Sequence, residues 1–139
     1  VVPPAGYCVD QTTLSQTFAA MARCDRLGAA DAAAFGPLAL ITASTAPMVG
    51  AERPTAATLA AAFDVQLIDT ADAPQDATIF RARTGDVPAG MAPEHWRAAV
   101  TVGQHLLGLA LYAPAGSPSE IIDGDETLAS VIAAAQSAE

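Results

Sequence analysis

The clearest alternation of apolar and polar positions runs through HWRAAVTVGQHLLGLALYA, residues 95–113. Gly103 and Gln104 form the Gly-X pair of a two-residue hairpin turn, which fixes the register of the two arms. Val102 then opposes His105, Val100 opposes Leu107, Ala98 opposes Leu109 and Trp96 opposes Leu111, and this apolar face is predicted to be core. The other face carries His95, Arg97, Ala99 and Thr101 against Tyr112, Ala110, Gly108 and Leu106. The small residues at 99, 108 and 110 make it a flat seat. On their apolar neighbours, Trp96 is assigned to the core and both histidines to the surface or rim.

Elsewhere the pattern is shorter. GYCVD predicts a strand, and TTLSQTFAAMARC places Leu14, Phe18 and Met21 at helical spacing behind Thr and Ser caps, although TFAAMARC also reads as a strand. PLALITAST is an apolar run bounded by prolines and predicts a buried strand. RPTAATLAAAFD predicts a helix capped by Thr55 with Leu59, Ala62 and Phe63 on one face. VQLIDTA and ATIFRART predict strands flanking the acidic turn DAPQD, and GDVPAGMAPEH predicts a loop. DETLASVIAAAQSAE predicts a C-terminal helix with Asp125 as N-cap and Leu128, Val131, Ile132 and Ala135 inward.

At 139 residues, with 52% apolar and 15% charged residues, the chain has the size and composition of one folded domain. The two prolines of VVPPAG enforce an extended entry, so residues 1–6 are expected to be a tether and 7–139 a single domain. The longest apolar stretch, AAAFGPLALITA, is broken by Gly36 and Pro37 and falls short of the roughly 18 residues that span a bilayer.

Six arginines and no lysine face fifteen carboxylates, for a formal net charge of -9. Such a field opposes a nucleic-acid backbone, and the missing lysine removes Schiff-base and P-loop chemistry. The charge is unevenly spread. Residues 77–112 hold Arg81, Arg83 and Arg97 against Asp86 and Glu94, leaving -10 for the remainder. Arg81 and Arg83 alternate on one strand face with Ile79. A cluster of half the cations on neighbouring strands reads either as solvated arginine or as a local anion or partner site.

The chain has two cysteines, Cys8 and Cys24. Their spacing excludes a C-x-x-C redox site, and a zinc site would need two more ligands. His95 and His105 lie at opposite ends of a hairpin arm, on the order of 30 Å apart, and do not share a metal. The cysteines are therefore expected to form a structural disulfide in an oxidising compartment, with free buried thiols as the alternative. No G-x-S-x-G, H-E-x-x-H or G-x-G-x-x-G occurs, and DGDE lacks the ligand spacing of a calcium loop. No metal or cofactor is expected.

The fold class expected is α+β: a single antiparallel sheet covered by a few helices, ending in a hairpin and a C-terminal helix. The order strand, helix, strand, helix, several strands ending in a hairpin, then helix resembles the PsbP-like α/β/α sandwich. That resemblance implies an extracytoplasmic accessory domain attached to, or assembling, a membrane complex. The expectation is a non-catalytic exported interaction domain of the bacterial periplasm that binds another protein, possible contacts being Arg81, Arg83, Arg97, Trp96 and Tyr112. Two other readings stand beside it: a carrier of a small apolar or anionic ligand, and a hydrolase using Glu94 and His95 of PEHW.

Overall fold

The computed structural model describes residues 7–12, 14–23, 40–47, 55–71, 73, 77–87, 90–114 and 124–137. Its elements are β1 (Tyr7–Val9), β2 (Phe18–Arg23), β3 (Leu40–Pro47), α1 (Ala56–Phe63), β4 (Gln66–Ala71), β5 (Ala77–Arg83), β6 (Glu94–Val102), β7 (His105–Tyr112) and α2 (Gly124–Ser137). The strands form one seven-stranded sheet in the order β1-β2-β3-β7-β6-β5-β4, and every neighbouring pair is antiparallel. Two meanders meet at the β3–β7 seam, and α1 carries the chain from one to the other. The α+β expectation holds at this level, with the sheet dominating.

The hairpin register is the one its sequence dictates: Val102 opposes His105, Val100 Leu107, Ala98 Leu109 and Trp96 Leu111. Gly103 takes a φ of 61°, the first central position of a primed turn, where only glycine avoids a Cβ penalty. Alternation then divides the sheet into two faces. One buries Met21, Ile41, Ile79, Trp96, Val100, Leu109 and Leu111 against Leu128, Val131, Ile132 and Ala135 of α2. The other buries Phe80, Ala82 and Ala99 against Ala56, Leu59 and Ala60 of α1. The result is three layers, with one helix on each side of the sheet.

α1 is bounded as its sequence predicts. The Thr55 hydroxyl accepts from the Thr58 amide at 3.2 Å, supplying one of the orphan donors of the first turn. At the other end Asp64 takes the left-handed conformation (φ 57°, ψ 48°). The Asp64 amide donates to Ala61 O at 3.2 Å and the Val65 amide to Ala60 O at 3.0 Å, the paired bonds of a Schellman ending. In α2 the inward set Leu128, Val131, Ile132 and Ala135 is buried as expected. Asp125, expected as its N-cap, instead lies inside the helix, which already includes Gly124.

One element differs in kind. The helix expected over TTLSQTFAAMARC is not formed; among the described residues a turn leads into β2, as the alternative strand reading of TFAAMARC has it. Asp10 Oδ1 accepts from both the amide and the hydroxyl of Thr12, at 3.0 and 2.7 Å, and the Ser15 hydroxyl accepts from the Thr17 amide at 3.3 Å. Side chains that cap helices also close turns, and here they close turns. Helical spacing would have buried Leu14, Phe18 and Met21 together. Instead Leu14 and Phe18 are exposed, while Met21 is sealed between Val9 of β1 and Ile41 of β3. Partners on both edges override the modest helix preference of Ala and Met.

β4 forms one edge of the sheet and β1 the other. The β4–β5 register shifts between Leu67 and Asp69, and Asp69 Oδ1 accepts from the Thr70 amide at 2.9 Å. The proposed tether, residues 1–6, lies outside the described residues.

Candidate functional site

Strand β6 sorts its polar side chains strictly by parity. Glu94 and Trp96 project toward the α2 side with Arg83 and Arg81, their partners on β5, whereas His95 and Arg97 project toward the α1 side with Ala82 and Phe80. The five residues expected at an interaction surface are thus split by the sheet. Arg81, Arg83 and Trp96 lie on one face; Arg97 and Tyr112 lie on the other.

On the α2 side, Arg81 is flanked by Trp96 and Glu94. Its guanidinium lies 5.9 Å from the Trp96 ring centroid and its Nε lies 4.0 Å from Glu94 Oε1. Asp69 of β4 opposes Arg81 from the other strand. Trp96 is buried among the core residues of this face, as expected. Arg83, at the end of β5, is exposed. This is a mixed-charge surface in which Arg81 already has an anion beside it.

The α1 side has a different character. Of the described strand residues that project to it, Arg97 alone carries a formal charge; Asp69 and Glu94 point the other way. Arg97 is held by three neighbours. Its Nε donates to His95 Nε2 at 3.0 Å, its Nη2 donates to the Tyr112 hydroxyl at 3.3 Å, and its guanidinium lies 4.7 Å from the centroid of Phe63, the last residue of α1. The His95 and Tyr112 rings stack at 4.9 Å with an interplanar angle of 24°. His95 Nδ1 donates to Pro93 O at 3.1 Å. A carbonyl only accepts and a guanidinium only donates, so the ring must be the neutral tautomer with its proton on Nδ1.

His95 is fully buried, which corrects its assignment to the rim; His105, at the turn, is exposed as expected. Burial holds the His95 pKa below its ordinary 6.5; the bond to the Pro93 carbonyl opposes this in part, and the Arg97 charge adds a lesser depression. The flat seat at 99, 108 and 110 is also corrected, because Phe63 of α1 lies over part of it. A Cβ at Gly108 would stand 3.9 Å from Phe63 Cζ and 3.4 Å from Ser44 Oγ.

Glu94 and His95 cannot form a dyad. They are consecutive in a strand and project from opposite faces, so the proposed hydrolase pair has no shared cleft. Among the described residues no group of three or more His, Cys, Asp and Glu side chains is placed to hold a metal. A groove of about 200 Å³ runs past Leu14, Phe18, Val9 and Leu107 at the far end of the sheet. Cys8 sits on β1 opposite Ala22; Cys24 lies outside the described residues, so the expected bond is not described either. Among the described residues, no helix is long and apolar enough to cross a membrane.

The sequence had placed His95, Arg97 and Tyr112 on one face. It carried no signal for Phe63, because which strands a helix covers depends on the order of the sheet. No protein-family model, curated protein or solved structure matches this chain.

Proposed function

We propose that this chain is a non-catalytic binding domain that docks an anionic group of a partner protein on its α1 side, with Arg97 as the anchor. The observation that carries the reading is the state of that guanidinium. It is immobilised by a neutral histidine, a phenol and an aromatic ring, and no carboxylate lies within ion-pair distance among the described residues. An arginine held in place with no carboxylate partner among the described residues is preorganised for an anion from outside. The surrounding acidity serves specificity, since it repels any anionic partner that does not align with the single cation.

The expected setting is extracytoplasmic, as an accessory subunit or assembly factor of a membrane-associated complex. The test is affinity purification of the tagged protein from its native host after mild cross-linking, using wild type, Arg97→Gln and Arg81→Gln. The reading expects one protein to be recovered by wild type and by Arg81→Gln and to be lost with Arg97→Gln. Equal recovery by all three would place the contact surface elsewhere.

A further inference from the structure

We propose that Arg97 and His95 act together as a carboxylate site that takes up a proton with the anion, an inference that rests on the docking reading above. Arg97 has five N–H donors, of which His95 and Tyr112 engage two. The three left are on Nη1 and Nη2. Arg97 is half-buried whereas His95 is sealed, so an incoming anion meets the guanidinium edge and the imidazole lies behind it. A planar fork of N–H groups matches a planar carboxylate. A single positive charge beside a neutral ring suits a monoanion better than a dianion.

Proton coupling follows from the 3.0 Å contact between Arg97 Nε and His95 Nε2. In the empty site, protonating His95 would place a second cation against the first in a buried setting and remove the acceptor that Arg97 uses. An anion on Arg97 offsets the first charge, so the same protonation becomes easier. By linkage, the proton then tightens the anion by the same factor. Among the described residues, the ionisable groups that face His95 are Arg97 and Tyr112. β6 presents Arg97, and β7 presents Tyr112, whose hydroxyl accepts from Arg97. β5 presents Phe80 and Ala82, the end of β3 presents Leu40, and α1 has no ionisable residue, with Asp64 beyond its end making no ion pair to Arg97.

The experiment is an NMR titration of the two imidazole rings, with formate as probe, on the full chain between about pH 5 and about pH 8 at constant ionic strength. Formate should raise the His95 pKa by about half a unit or more, equivalent to about threefold tighter binding at the acidic end. His105, exposed at the turn, serves as internal reference and should not move. Arg97→Gln should abolish the shift. His95→Gln, which retains an acceptor for Arg97, should still bind formate but with pH-independent affinity; if it does not fold, the wild-type rings decide. Formate binding with an unmoved His95 overturns the proton coupling and leaves the docking reading intact. Inorganic phosphate binding more tightly than formate overturns the carboxylate assignment. No binding of either anion at any pH overturns the site and the docking reading together.

Discussion

The Arg97 guanidinium carbon lies over the Phe63 ring, 4.7 Å from its centroid, although one residue ends a helix and the other lies in mid-strand. The ring shields one face of the guanidinium and leaves its edges to His95, Tyr112 and whatever comes from outside. Phe63→Ala should therefore act twice. It should cost about 2 to 4 kcal/mol in stability, as removing a partly buried aromatic does, and should weaken anion binding several-fold by freeing Arg97. Phe63→Leu should restore most of the stability and little of the binding. Urea unfolding and formate titration of the same two variants separate the effects.

The neutral state of His95 predicts how stability changes with pH. Its folded pKa lies below the unfolded value of 6.5, so below that pH the unfolded chain binds more protons than the folded one. The contribution is fully present above about pH 6.5 and is lost as the pH falls toward the folded value. Urea midpoints should decline over that window in the wild type. In His95→Gln the decline attributable to this residue should vanish, leaving only the fall caused by carboxylates at lower pH.

The two faces of the hairpin offer a direct comparison. Leu109 is buried beneath α2, and Leu109→Ala should cost about 2 to 4 kcal/mol through the cavity it leaves. Thr101, half-buried on the opposite face, should cost under about 1 kcal/mol as Thr101→Ala. Equal losses would contradict the register.

Asp64 occupies a left-handed position where glycine is the usual resident. Asp64→Gly should raise stability by up to about 1 kcal/mol, because it relieves the Cβ contact without touching the two amide bonds that close α1. Thermal unfolding would show a higher Tm; a lower one would mean that the Asp64 carboxylate itself stabilises the ending.

We also propose that Cys8 and Cys24 are joined. β1 pairs Cys8 with Ala22, so the second cysteine is two residues along the chain from the first one's partner. Intact mass should be two hydrogens short of the reduced value, and the untreated protein should resist alkylation. Reduction should lower the Tm, since a loop of this length restrains the unfolded chain by about 3 kcal/mol. Full alkylation without reductant would end the proposal.

What was legible in the sequence was what local pattern controls. The Gly103–Gln104 turn dictated the pairing of Trp96 with Leu111 and hence the division of His95 and Arg97 from Trp96, and Thr55 marked the start of α1. Two kinds of information were not local. TFAAMARC reads both as helix and as strand, and what decides for the strand, β1 and β3 on its two sides, is not contained in its own alanines and methionine. The burial of His95 depends on Tyr112 and on the layer formed above its face, and an isolated His on a strand carries no sign of either.

The rim at β4 has a bearing on how the protein behaves at high concentration. A sheet of seven antiparallel strands ends in a row of backbone groups that another chain could extend, the step from which fibrils grow. At β4 the register slips between Leu67 and Asp69, and the charged Asp69 side chain takes up the amide of Thr70. A newcomer would meet an irregular spacing and a negative charge, and in self-association that charge would be set against its own copy. The irregularity that interrupts the ladder thus also guards the molecule against polymerising along it.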